Sequence, residues 1–318
     1  MANFCSNIRP VTLIGAPTDI GAADRGGSMG PEALRVAGLE TALCLMGLEV
    51  EDTGNLKGPA NPEARPLGGY RHLGETAEWC RNVRDACYGA LGTGATPVLM
   101  GGDHSLAIGS IAAAAHHCAD HDKSLCVLWL DAHADFNTPG TSPSGNIHGM
   151  PVAVVSGYGP DLLTGICAAK PMLDPASIIQ LGIRSVDRVE KRMVMDSGLD
   201  VHDMRRIDER GMRRTMEDVL NKLARHGGHL HVSFDVDFLD PAIAPGVATS
   251  VKGGPTYREA QLCMEMIFES GLMRSLDIME LNPAFDNGNQ SAELVVDLVK
   301  SLFGEQILSR HSYQRIAS

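Results

Sequence analysis

Short apolar runs alternate along the chain with stretches whose hydrophobic residues recur at helical spacing, and this alternation predicts strands separated by helices. The runs at 11–15, 48–51, 97–100, 125–130, 178–183, 230–234 and 275–279 predict strands. Helices are expected between them. Pro31 opens one to about Met46, because proline at the first helical position loses no intrahelical hydrogen bond. Others are expected over 75–91 and 105–116. Met212, Met216, Val219, Leu220 and Leu223 share one helical stripe that stops at Gly227-Gly228. Thr256-Tyr257-Arg258-Glu259 has the form of a capping box, and Val295, Leu298, Val299 and Leu302 line a last helix. Strands alternating with helices over the whole length point to an α/β fold with a mostly parallel sheet.

The chain has 318 residues, with no Pro/Ser-rich spacer, charge block or repeat, so a single domain over 1–318 is expected. At 44% hydrophobic and 21% charged residues it can build a sizeable core. The formal charge of −12, without any Lys/Arg-rich run, argues against nucleic-acid and anionic-membrane partners. It suits a small cationic substrate, although an ordinary acidic enzyme surface gives the same balance. No stretch is apolar enough for a membrane span and the first residues lack a signal pattern, so a cytoplasmic location is expected. The eight cysteines, Cys5 among them, are scattered without a Cys-x-x-Cys pair, the pattern of reduced thiols.

Three clusters change the picture: Gly101-Gly102-Asp103-His104, Asp131-Ala132-His133-Ala134-Asp135 and Asp235-Val236-Asp237. Each follows a predicted strand, where ligands of open α/β sheets collect. If the chain stays extended, alternate residues place Asp131, His133 and Asp135 on one side, and Asp235 with Asp237 likewise. One acid after a strand is ordinarily a turn or helix cap; Asp103 is read that way, as support for His104. The set as a whole is different. So many carboxylates together would repel one another and raise their pKa values, a difficulty that two divalent cations remove. Oxygen and imidazole donors without sulfur favour a hard or borderline ion such as Mn²⁺ over structural Zn²⁺.

These clusters, together with Phe136-Asn137-Thr138-Pro139, Ser144-Gly145-Asn146-Ile147-His148-Gly149, Ser233-Phe234-Asp235-Val236-Asp237 and Leu276-Asp277-Ile278-Met279-Glu280-Leu281-Asn282-Pro283, resemble the ureohydrolases, the arginase/agmatinase family, most closely its arginase branch. The likeness runs from Ile14-Gly15-Ala16-Pro17 to Phe303-Gly304. It implies a three-layer α/β/α fold and two Mn²⁺ per subunit. By that resemblance His104, Asp131, Asp135 and Asp235 hold one ion, and His133, Asp131, Asp235 and Asp237 the other. A bridging hydroxide then attacks the guanidinium of L-arginine to give L-ornithine and urea. Glu280 is implied to pin the guanidinium and His148 to shuttle protons. Asn137, Ser144, Asp187 and Thr249 are the expected substrate contacts. Two departures bear on them: Ser185 stands where many arginases carry an aspartate, and Ser142-Pro143 replaces a threonine pair. A homo-oligomer, trimer or hexamer, is implied too. Alternatives are agmatinase, guanidinobutyrase, metal-dependent amide deacetylation on a related fold, or a silent metal- or arginine-binding protein.

Overall fold

The computed structural model describes residues 9–62 and 64–308. Cys5, the N-terminal segment tested for a signal pattern and the tail after Arg310 lie outside the described residues. Eight strands form one sheet: β1 (Val11–Gly15), β2 (Val50–Asn55), β3 (Thr96–Met100), β4 (Leu125–Leu130), β5 (Ile178–Ile183), β6 (Asp200–Asp203), β7 (His229–Asp235) and β8 (Met273–Met279). Their order is β2-β1-β3-β8-β7-β4-β5-β6, and every neighbouring pair is parallel. Parallel pairs need crossover connections, which place helices on both faces and bury the strands between them.

Successive side chains point to opposite faces, so the sheet separates two apolar layers. One holds Leu13, Val98, Leu128 and Val232 against helices Met212–His226, Tyr257–Ser270 and Gln290–Leu302. The other holds Ile14, Leu99, Val127 and Trp129 against helices Leu73–Gly92 and Ala107–Asp120. This is the expected three-layer α/β/α arrangement.

The structure corrects several elements. The helix expected over 31–46 is two, Gly30–Val36 and Leu39–Leu45, parted where Gly38 takes a left-handed φ of 83°. Strand β2 runs later than 48–51: Leu48 packs into the core, and the strand itself alternates half-buried with exposed positions, as an edge strand does. Strand β6, Asp200–Asp203, has no apolar run and was not foreseen. Helices Glu190–Ser197 and Met204–Arg210 were also missed. The capping box at Thr256 is present in full. The seven described cysteines, Cys44 to Cys263, are free, and no described helix is long and apolar enough to cross a membrane.

Candidate metal centre

Sheet register brings the acid motifs together. Leu130 pairs with Phe234, Phe234 with Ile278, and Ile278 with Met100, so β4, β7, β8 and β3 end in one level row. Asp131 and Asp235, the next residues on two adjacent strands, therefore start side by side on one face. On β3 the next residues are glycines for a steric reason. A Cβ on Gly102 would collide with the Thr18 carbonyl, and one on Gly101 with the Met279 sulfur. Asp103 then caps the turn, its carboxylate accepting from the N–H groups of Ser105 (3.0 Å) and Gly21 (2.8 Å), and sends His104 inward.

Two donor groups result. His104 Nδ1 faces Asp235 Oδ2 at 2.9 Å, Asp131 Oδ2 at 3.2 Å and Asp135 Oδ2 at 3.5 Å. His133 Nδ1 faces Asp237 Oδ2 at 2.9 Å and Asp131 Oδ1 at 3.5 Å. Asp131 belongs to both groups and turns one oxygen to each histidine. The extended path expected through these motifs does not hold. Asp135 takes φ 48°, and Asp237 lies in the 3-10 turn Val236–Phe238. Both carboxylates still return to the cluster because the turns are pinned. Asp235 Oδ1 accepts the Asp237 N–H (2.7 Å), and Asp237 Oδ1 accepts the Ala132 N–H (3.1 Å), which ties one motif to the other.

Electrostatics test whether a cation fits. Asp131, Asp135, Asp235 and Asp237 are at most 7% exposed. Burial raises the Asp135 carboxyl well above the ordinary range, and the Asp131 charge adds to the rise. Asp235 is raised well above it too, by burial and then by Asp237 and Asp131. For Asp131 burial also pushes upward, but hydrogen bonds from His104 and His133 outweigh it and hold it low. Burial lowers the His104 and His133 imidazoles, and the facing carboxylates more than reverse this, to about 9 and about 12. Such a donor set, oxygen-rich with two imidazoles and no sulfur, fits divalent cations that neutralise the carboxylates and take the imidazole lone pairs.

Residues behind His104 orient it. Its ring stacks on Trp129 with centroids 4.0 Å apart, and Trp129 Nε1–H donates to Asp131 Oδ2 (2.8 Å). His104 Nε2 lies 2.9 Å from Ser233 Oγ. Ser233 in turn reaches Asp277, which also accepts from Ser110 (2.6 Å) and faces His231 Nε2 (2.9 Å). Supports of this kind fix the orientation of a ligand imidazole and which ring nitrogen faces the metal. Sequence reasoning gave no role to Trp129, Ser233 or Asp277, although the last two lie within motifs quoted from the sequence. Their signal was present as polar or large residues at the parity of Asp131, Asp235 and Met279, but only the register shows that they touch.

A cavity of about 140 Å³ opens above the cluster, lined by His133, Asp135, Asp235 and Asp237 on its floor and by Glu280 and His148 on its wall. Glu280 stands in a left-handed conformation (φ 62°), with its N–H on the Gly102 carbonyl (2.8 Å). Its Oε1 accepts the His104 N–H (2.7 Å) and lies 3.0 Å from His148 Nδ1. Burial lowers the His148 pKa, but the Glu280 charge overrides it and the net shift is upward. Burial raises Glu280, but His148 overrides it and the net shift is downward. Asn137, Ser144, Asp187 and Thr249 all line the same cavity. Asn137 donates to Asp187 Oδ2 (3.0 Å) and accepts from Thr141 (2.9 Å), so the loop is internally braced. The Thr249 hydroxyl is directed to Asp237 Oδ2 (3.1 Å). Ser142, Pro143 and Ser185 line the cavity as well, so the departures noted in the sequence lie within the site. Glu190, also missed, is 3% exposed and accepts the Phe136 and Asp187 N–H groups (2.8 and 2.9 Å), joining the two sides of the mouth.

Residues 9–304 match the model of the Arginase family. An arginase of Agrobacterium fabrum is 41% identical over 306 residues, covering 96% of this chain and 94% of the relative. The structure of arginase from Bacillus caldovelox superposes with a TM-score of 0.90 at 39% identity, covering 94% of this chain and 100% of that one. Arginase from Entamoeba histolytica, solved in complex with L-ornithine, gives a TM-score of 0.86 at 30% identity, with coverage of 94% and 100%.

Proposed function

This chain belongs to the arginase family, and from that membership we propose that it hydrolyses the guanidinium group of L-arginine to L-ornithine and urea. One observation carries the reading: Asp131 turns one oxygen to each of two histidines, beneath a cavity lined by His133, Asp135, Asp235 and Asp237 and by Glu280 and His148. His104, Asp131, Asp135 and Asp235 would hold one Mn²⁺, and His133, Asp131, Asp235 and Asp237 a second. When bound, the ions supply Lewis-acid activation of water near neutral pH.

The chain's own groups do the rest. A guanidinium is planar and cationic, and resists attack because its charge is delocalised, so it has to be held against the nucleophile. Glu280, kept ionised by His148, offers a buried carboxylate to the guanidinium N–H groups. Addition of water to the central carbon and cleavage of its bond to the alkyl nitrogen release urea and a primary amine. His148, with its raised pKa and 15% side-chain exposure, can hold the proton that amine requires and exchange it with solvent. Asn137, Ser144, Asp187 and Thr249 are positioned to read the α-carboxylate and α-amino group. Analogues lacking either group would leave buried polar partners unmade, which disfavours them. The reaction is assigned to the cytoplasm, in keeping with the free thiols, and to a homo-oligomer, trimer or hexamer.

The test is a substrate panel on metal-quantified protein. Urea release should be faster from L-arginine than from agmatine, guanidinobutyrate or guanidinopropionate at equal concentration. The reverse order would transfer the chain to another ureohydrolase activity.

A further inference from the structure

Arg184 stands just past β5, between the two acid motifs. Its main-chain N–H donates to the Ala132 carbonyl (2.8 Å), within the loop that carries Asp131, His133 and Asp135. Its guanidinium donates to the carbonyls of Asp237 (2.7 Å), Phe238 (3.1 Å), Leu239 (3.1 Å) and Val251 (2.8 Å), and to that of Gly182 on β5 (3.2 Å). Among the described residues no carboxylate lies within ion-pair distance of it, although a part-buried guanidinium ordinarily pairs with one. The fork is spent on main chain instead. It gathers three successive carbonyls of the turn bearing Asp237 and ties them to the loop bearing Thr249, whose hydroxyl meets Asp237 Oδ2 (3.1 Å). Gly254 packs against both the fork and the turn it holds: a Cβ there would come within 2.6 Å of Nη2 and within 2.7 Å of the Leu239 carbonyl carbon and the Asp240 nitrogen.

We propose that Arg184 is a positioning residue that sets the reach of Asp237 toward His133, and thereby the affinity of the Asp131–His133–Asp237 group for its cation. The planar fork is what qualifies it. A lysine keeps the charge but offers a single point with three rotatable donors, and cannot span carbonyls from three segments. The His104 group lies on the other side of Asp131 and takes nothing from this fork, so the two cation sites should respond differently. The inference rests on the two-cation reading above.

Full-length protein stripped by chelator, as wild type, Arg184→Lys and Arg184→Gln, would be titrated with Mn²⁺ by calorimetry and followed by electron paramagnetic resonance. Wild type should take up two ions and develop the spectrum of a coupled pair. Arg184→Lys should bind the first ion as wild type does and the second about 10- to 100-fold more weakly, so that its spectrum stays that of an isolated ion at two equivalents. Arg184→Gln, neutral and too short to reach all of these carbonyls, should weaken the second ion in the same direction, and decides the matter if Arg184→Lys does not fold. Unchanged affinities in these variants, or equal weakening of both ions, would overturn the proposal while leaving the two-cation reading intact. A wild type that never takes a second ion would overturn that reading, and the proposal with it.

Discussion

Asp131→Asn removes one charged oxygen from between the two histidines while preserving the shape of the side chain. Because both donor groups depend on that carboxylate, the variant should lose bound metal and urea release together, as metal content after gel filtration would show. Retention of two ions per chain would contradict the shared role. His148→Asn should behave differently: metal content stays at the wild-type level while kcat falls by about 10²- to 10⁴-fold, the usual contribution of a general acid or base. A fall in KM alone would argue against proton transfer there. Asp131 was conspicuous in the sequence as an acid directly after an apolar run, whereas His148, in a loop, stood out only through the family resemblance of the motif around it. Trp129 carried no signal inside its strand, and Ser233 and Asp277, though within the motifs quoted, had no role until register set Trp129 and Ser233 beside His104 and Asp277 behind Ser233. Arg184 was hidden for a related reason, since its partners are main-chain carbonyls that no sequence motif announces.

Among the elements, strands buried on both faces were read almost to the residue, because a continuous apolar run is what a central parallel strand requires. The edges were read worst. Strand β2 alternates and β6 is the polar Asp-Val-His-Asp, so neither needs an apolar run, and both are held by side-chain pairs to neighbouring helices. Lys222 donates to Asp200 on β6 (3.0 Å), and Arg35 makes a two-point contact with Asp52 on β2 (2.7 and 2.9 Å). The Arg35 hydrogen bonds hold the Asp52 carboxyl below its ordinary value. A depressed carboxylate contributes stability at pH above its unfolded value and loses it as pH falls through the folded one. Asp52→Asn should therefore cost about 1 kcal/mol in urea unfolding at pH 7. The gap to wild type should persist down to pH 5 and narrow below about pH 4. A gap that widened on acidification would contradict the ion-pair account.

The molecule as a whole is a rigid sheet with its acids gathered where β3, β8, β7, β4 and β5 end side by side. The helices cover both faces and leave that rim open to the loops that follow the strands, which converge there from distant parts of the chain. Gathering buried carboxylates there opposes folding unless cations are bound, so metal should stabilise the native state by mass action. Chelation is expected to lower the melting temperature, and Mn²⁺ to restore it. The most direct test of the account couples that titration to chemistry. Chelator-stripped protein is given Mn²⁺ in steps, with bound metal counted and urea release from L-arginine measured at each step. Activity should be absent without metal and should climb to a plateau as occupancy approaches two ions per chain. Full turnover by metal-free protein, or no turnover at complete occupancy, would contradict it.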